Sequence, residues 1–170
     1  LKILRDYDRI SPLLRQQDYV KDYIPMTRGG VAILGGSGMN FLLTFGCNFD
    51  DFQRVFGNPV EAVEGQLLTN GDHGLLVNEK SRQNQHKMQG YWLVPAGYEL
   101  NRDNLSKEAR SELPGLPQRS DLALGGFGEP NSTDLTLPIR AITRFKSLNN
   151  LMQEISIMDI ESFRQIFGYY

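Results

Sequence analysis

Apolar residues recur at helical spacing toward both ends of the chain and run nearly unbroken in two stretches between them. Near the start, Ile3, Leu4, Tyr7 and Ile10 share one helical face before Ser11-Pro12 punctuates the pattern. Ser11 suits an N-cap and Pro12 a first helical position. A second piece follows, with Leu13, Leu14, Gln17, Val20 and Tyr23 or Ile24 on one side, and Pro25 closes it. The spacing predicts two short helices over residues 1–24, with an arm that docks on a neighbour as their functional reading. Toward the other end, Leu148, Leu151, Met152 and Ile155 recur at i, i+3, i+4 and i+7. Asp159 then caps a last helix that turns Ile160, Phe163, Ile166 and Phe167 inward and stops at Gly168.

The middle of the chain reads as strands. Gly29–Leu34 and Met39–Gly46 flank Gly35-Gly36-Ser37-Gly38, two apolar runs around a Gly-rich turn, which predicts a β-hairpin. Asn48 caps a short helix, Phe49–Phe56, ended by Gly57. A second hairpin is predicted from Gln66–Thr69 and Leu75–Val77 around Asn70-Gly71, a pair tolerant of positive φ. Tyr91–Val94 and Leu135–Phe145 read as further strands, the latter placed at an edge or broken by Pro138. Asp103 caps a short helix over residues 104–113. Residues 78–89 are polar throughout and residues 114–133 are rich in Gly and Pro; both are expected to be loops, with a brief strand at Leu122–Leu124. Residues 1–170 are therefore expected to form one globular α+β domain: a mainly antiparallel sheet built from hairpins, with helices at both termini packed on it.

One internal echo runs through this pattern. Phe49-Asp50-Asp51-Phe52-Gln53-Arg54-Val55-Phe56-Gly57 parallels Ile160-Glu161-Ser162-Phe163-Arg164-Gln165-Ile166-Phe167-Gly168. Each has an acidic first turn that favours the helix dipole, an aromatic stripe and a Gly stop. Short capped helices converge on that pattern, and the alternative is a pair of related docking helices.

Composition narrows the functional classes. The chain has 170 residues, 40% hydrophobic and 22% charged, enough to bury a core without staples. Net charge is −2, and no dense Lys/Arg cluster appears beyond Lys80, Arg82 and Lys87, so nucleic acid is an unlikely partner on phosphate-neutralisation grounds. Cys47 is the only cysteine, which excludes an intrachain disulfide. The longest apolar stretch, Val31–Phe45, is interrupted by Gly35, Gly36, Ser37 and Gly38, so no membrane span is expected. No signal-peptide pattern opens the chain, and Leu1 in place of Met suggests trimming, so the compartment is left open.

Candidate chemistry is sparse. Backbone N–H groups in Gly35-Gly36-Ser37-Gly38 suit a phosphate cradle, with the Ser37 hydroxyl as a further donor. Over about eight residues this strand and turn resemble the phosphate loop that opens nucleoside-phosphorylase-like folds. No GxGxxG or Walker A pattern is present, however, and Met39–Phe45 reads as strand, which favours a plain hairpin turn. Asp72 and His73 sit together in a turn, a carboxylate beside an imidazole, as candidates for base chemistry near that loop. Cys47 before a helix start is a candidate thiolate, against the commoner reading of a small buried hydrophobe. Two His and one Cys make no zinc pattern, so neither metal nor cofactor is expected.

The aromatic supply favours contact surfaces instead. Tyr7, Tyr19, Tyr23, Phe163, Phe167, Tyr169 and Tyr170 are the expected interface set, since aromatics bury area at low entropic cost. The function expected is a non-catalytic structural or protein–protein interaction subunit of a larger assembly, such as a virion or a secretion apparatus, with protein partners or self-association. The alternative is a small-molecule or phosphate-binding domain, with an enzyme as one form of it, using Gly35–Gly38 with Asp72 and His73.

Overall fold

The computed structural model describes residues 6–147 and 154–169. Their strands are β1 (Met26–Ile33), β2 (Phe41–Cys47), β3 (Val60–Gly65), β4 (Leu75–Asn78), β5 (Trp92–Leu93), β6 (Gln118–Arg119), β7 (Asp121–Gly126), β8 (Leu135–Phe145) and β9 (Ser156–Asp159). Their helices are α1 (Tyr7–Arg15), α2 (Phe49–Phe56), α3 (Glu79–Gln89), α4 (Lys107–Ser111) and α5 (Ile160–Phe167). Six strands close into a barrel in the order β8-β4-β9-β2-β1-β7 and back to β8, and β3 adds to β8 as a seventh. The pairing is mixed, because β2 runs parallel to β9 and β4 parallel to β8.

This corrects the expected hairpin sheet. β1 and β2 do form the antiparallel hairpin around the Gly-rich turn. The second hairpin does not form: β4 pairs with β8 and β9, and residues 66–69 join no strand. Two parallel pairings between segments far apart in sequence replace it, and such pairings leave no local turn signal. Pro138 does not break β8 or put it at an edge. It sits opposite Asp121, the first residue of β7, and β4 takes up pairing from Ile139 onward, so its missing N–H falls at a change of neighbour.

Alternation sorts side chains into two cores. Val31, Ile33, Leu42, Leu75, Val77, Leu122, Leu124, Leu137, Ile139, Ile142 and Met158 come from all six barrel strands and fill the interior. Phe45, Cys47, Leu76, Ala141, Phe145 and Ile157 point outward beneath Phe49 and Phe52 of α2. α5 joins the inner core through Phe163, Ile166 and Phe167. Room for it comes from missing side chains: a Cβ at Gly46 would lie 2.6 Å from Phe163 Cβ, and one at Gly126 2.6 Å from the Ile166 carbonyl oxygen.

The sequence echo has a spatial counterpart. β2 and β9 are parallel neighbours, and each runs through an Asx cap into an eight-residue helix, Asn48 into α2 and Asp159 into α5. Asp159 pairs with Cys47 rather than with Asn48, so α5 departs one residue earlier in register. One residue along a strand reverses the facing. That offset sends α5 to the barrel interior and α2 to its outer wall.

Three further expectations fail. Residues 79–89 are not a loop but helix α3, whose inner face is polar: Ser81, Arg82, Gln85 and His86 are buried. Residues 114–133 hold β6 and β7, the latter a barrel strand. Finally, α1 is one helix passing through Pro12, not two pieces divided there, and it buries only Ser11. Tolerance of Pro12 follows from that exposure, since water satisfies the freed carbonyl. Helices are thus not packed on a sheet at both ends. Ile3, Leu4, Leu148, Leu151, Met152 and Tyr170 lie outside the described residues.

Candidate functional site

The predicted site residues separate to opposite ends of β2. Gly35–Gly38 joins β1 to β2, whereas Asp72 and His73 pack by α5, which follows the strand end paired with Cys47. Seven strand residues at about 3.3 Å per step span about 20 Å. One composite pocket is therefore not formed.

At the Cys47 end, a cavity of about 120 Å³ is lined by Cys47, Asn48, Thr69, Asp72, His73 and Asp159, among others. Its polar groups are committed to one another. Asp159 accepts from Gly74 N–H at 3.0 Å and from Ser162 N–H at 2.9 Å, and lies 2.9 Å from His73 Nδ1. Glu161 lies 3.8 Å from His73 Nε2. The hydrogen bond and charge of Asp159, supported by Glu161 and Asp72, hold His73 above the ordinary imidazole range. Asp72 accepts from the backbone N–H and hydroxyl of Thr69, and these two bonds, with Arg140 and His73 beyond them, lower its pKa. Burial, with Asp51 adding, pushes the Cys47 thiol up to about 12. A thiol so raised is no nucleophile, and a His so paired favours its cationic form over that of a free base. These contacts tie the 69–74 turn to the start of α5. Among the described residues no group of three or more His, Cys, Asp or Glu is placed to hold a metal ion.

At the other end, α3 grips the hairpin turn. Ser37 N–H donates to Gln89 Oε1 and its carbonyl accepts from Gln89 Nε2, both at 3.3 Å. The Ser37 N–H that a phosphate would use is thus already engaged, and the turn leads into a strand, not into the helix of a phosphate loop. Deeper in, Asn40 and Gln85 exchange amide hydrogen bonds, Gln85 Nε2 donating at 2.9 Å. These clips border a groove of about 310 Å³ between β2 and α3, lined by Met39, Phe41, Leu43, Asn84, Met88 and Glu154, among others. Its apolar walls face solvent: Met39 is 72% exposed, Phe41 40%, Leu43 46% and Met88 55%. Phe127, 63% exposed, extends the face by packing edge-on against Phe41 at 5.5 Å.

None of these five appears in the predicted interface set. The sequence around β2 reads as a continuous apolar run, which suggests cover on both faces; in fact its outer positions Phe41 and Leu43 are open. Within the predicted set, Phe163 and Phe167 are core residues, 0% and 3% exposed, and present no surface. Tyr169 is half-buried against Phe167. Tyr7 is half-buried and Tyr19 is 82% exposed. Tyr23 ties α1 to the segment behind it, sharing a 2.6 Å hydrogen bond with the Ser11 hydroxyl and accepting from Arg15 Nε at 2.8 Å.

Behind the groove, the buried face of α3 is held by charge. Arg82 pairs with Glu64 of β3, lies 4.4 Å over the Trp92 ring and donates to the Leu93 carbonyl at 3.2 Å. Burial draws its pKa down while Glu64 opposes the shift. His86 meets Trp92 edge-on at 5.6 Å and sits 3.2 Å from Glu112. These contacts fix α3 and so the groove wall.

No helix among the described residues is long and apolar enough to cross a membrane. No protein-family profile matches the chain, and neither does any curated protein.

Proposed function

We propose that the protein is a non-catalytic assembly subunit that self-associates through the groove between β2 and α3. One observation carries this reading: Met39, Phe41, Leu43, Met88 and Phe127 form a contiguous solvent-facing apolar surface. Clustered exposed apolar side chains mark interaction sites in a way that single ones do not. Methionines at its rim suit an interface, being unbranched and adaptable. The groove is also preformed, since Gln85 and Gln89 hold α3 to the hairpin.

The alternative, a small-molecule or phosphate-binding domain built on Gly35–Gly38, has less support. Gln89 occupies the Ser37 backbone N–H and carbonyl, and Asp72 and His73 lie at the far end of β2.

Light scattering over a wide concentration series tests the proposal. The wild-type chain is expected to rise above monomer mass with concentration, and Phe41→Lys with Leu43→Glu to abolish the rise. A chain that stays monomeric throughout overturns the reading.

A further inference from the structure

We infer that Asn70 is a site of spontaneous conversion to isoaspartate, and that the conversion frees the 69–74 turn from α5. The inference is independent of the groove. Asn70 is the only asparagine followed by glycine. Thr69, Asn70 and Gly71 are exposed, in a turn that Asp72 N–H closes on the Thr69 carbonyl at 3.0 Å. Gly71 has φ 89°, the left-handed value that a type II turn asks of its third residue. A Cβ built on it would meet no heavy atom within 4 Å. Its N–H donates to none of the described residues. The backbone nitrogen beside the Asn70 amide is thus neither screened by a side chain nor held in a hydrogen bond.

Other asparagines lack one of these features. Asn58 precedes Pro59, which has no N–H. Asn84 lies inside α3, where the next amide belongs to the helix ladder. Asn131 is exposed, but Ser132 N–H donates to the Glu129 carbonyl at 3.2 Å.

The chemistry needs only water. The Gly71 nitrogen attacks Asn70 Cγ, the new N–Cγ bond replaces Cγ–Nδ2, and Nδ2 leaves as ammonia with the Gly71 proton. Water then opens the succinimide, and nothing is oxidised or reduced. Opening at Cγ gives aspartate. Opening at the main-chain carbonyl gives isoaspartate, whose backbone runs through Cβ and Cγ and gains an atom between positions 70 and 71. That atom falls inside the turn. The Asp72 N–H bond to Thr69 spans it, as do the bonds from the Thr69 N–H and hydroxyl to Asp72 Oδ2 at 2.9 and 2.8 Å. The same turn presents His73 and Gly74 N–H to Asp159. Either product also adds negative charge to a cavity wall that already holds Asp72, Asp159 and Glu161.

Ageing the full folded chain in neutral buffer at body temperature tests this. Peptide mapping, with an isoaspartyl methyltransferase and a labelled methyl donor as the probe, is expected to find isoaspartate at residue 70 ahead of every other asparagine. Asn70→Gln is expected to remove that signal. Hydrogen exchange on the aged chain is expected to show the amides of Asp72 and Gly74 losing protection while those of β2 keep theirs. Asn70→Asp carries the charge on an ordinary backbone and is expected to keep both amides protected. Isoaspartate arising first at Asn131, or at residue 70 only in guanidinium-unfolded chain, overturns the site. Isoaspartate at residue 70 with Asp72 and Gly74 still protected overturns the release. Equal loss of protection in Asn70→Asp overturns backbone lengthening as its cause.

Discussion

α1 and α5 begin as similar sequences: short, amphipathic, with acidic residues in the first turn and a basic residue in the last. The molecule treats them oppositely. α5 places Phe163, Ile166 and Phe167 in the barrel interior, whereas α1 buries Ser11 and leaves Leu13 in solvent. Amphipathic pattern alone does not decide this. What differs is the receiving surface: Gly46 on β2 and Gly126 on β7 lack the side chains that would keep α5 away, and no such seat receives α1. The amphipathic face specifies that a helix has something to bury, and the glycines specify where.

The largest expected effect tests the α5 seat. Phe163→Ala removes a fully buried ring and is expected to cost about 3–5 kcal/mol, lowering Tm by about 10 °C or more. Gly46→Ala attacks the same seat from below, driving a methyl to 2.6 Å from Phe163 Cβ, and is expected to cost about 1–3 kcal/mol. Thermal melts of both check it. Near-wild-type stability for both variants means that α5 is as dispensable to the core as α1, and the comparison fails.

How far this was legible follows from which elements speak locally. α2 and α5 announce themselves through caps and stops, and Asn48, Gly57, Asp159 and Gly168 hold the roles their types predict. α3 was illegible to apolar periodicity because its buried face is Arg82, Gln85 and His86, partnered by Glu64, Asn40 and Glu112. Only its brackets were visible: Asn78 accepts from Lys80 N–H, and Gly90 ends the helix with φ 79°. β9 has four residues and pairs parallel with β2, a relation that no local pattern encodes. The candidate site followed suit. Asp72 and His73 are beside a real cavity, while the open face of β2 was hidden by a run that reads as apolar on both sides.

A middle-sized effect concerns the start of α5. Asp159→Ala removes the cap and the tie to the 69–74 turn, with an expected loss of about 1–2 kcal/mol. Asp159→Asn keeps an acceptor and isolates the charge. His73 has its pKa raised in the folded state, so its contribution is complete below the unfolded imidazole value, about 6.5, and fades as pH rises through the higher folded value. Stability curves against pH are expected to decline across that window in wild type. The decline flattens in Asp159→Asn and in His73→Gln. His73 is more than half exposed, so the slope is shallow. An identical slope in all three proteins would exclude the pair as its source.

The smallest effect on stability, and the most telling one for the comparison, belongs to Tyr23→Phe. The Tyr23 hydroxyl is the hub of the α1 anchor, bonded to Ser11 and Arg15, and the Ser11 bond, with Arg15 behind it, lowers its pKa. Phe keeps the ring and removes the hub. Because α1 adds no side chain to either barrel core, Tm is expected to move by no more than about 2 °C. Hydrogen exchange is expected to speed up across residues 7–23 alone, since regions with few buried contacts open independently of the core. A release confined to the arm is what separates α1 from α5. A fall in Tm comparable to that of Phe163→Ala would make the two helices equal partners in one cooperative unit.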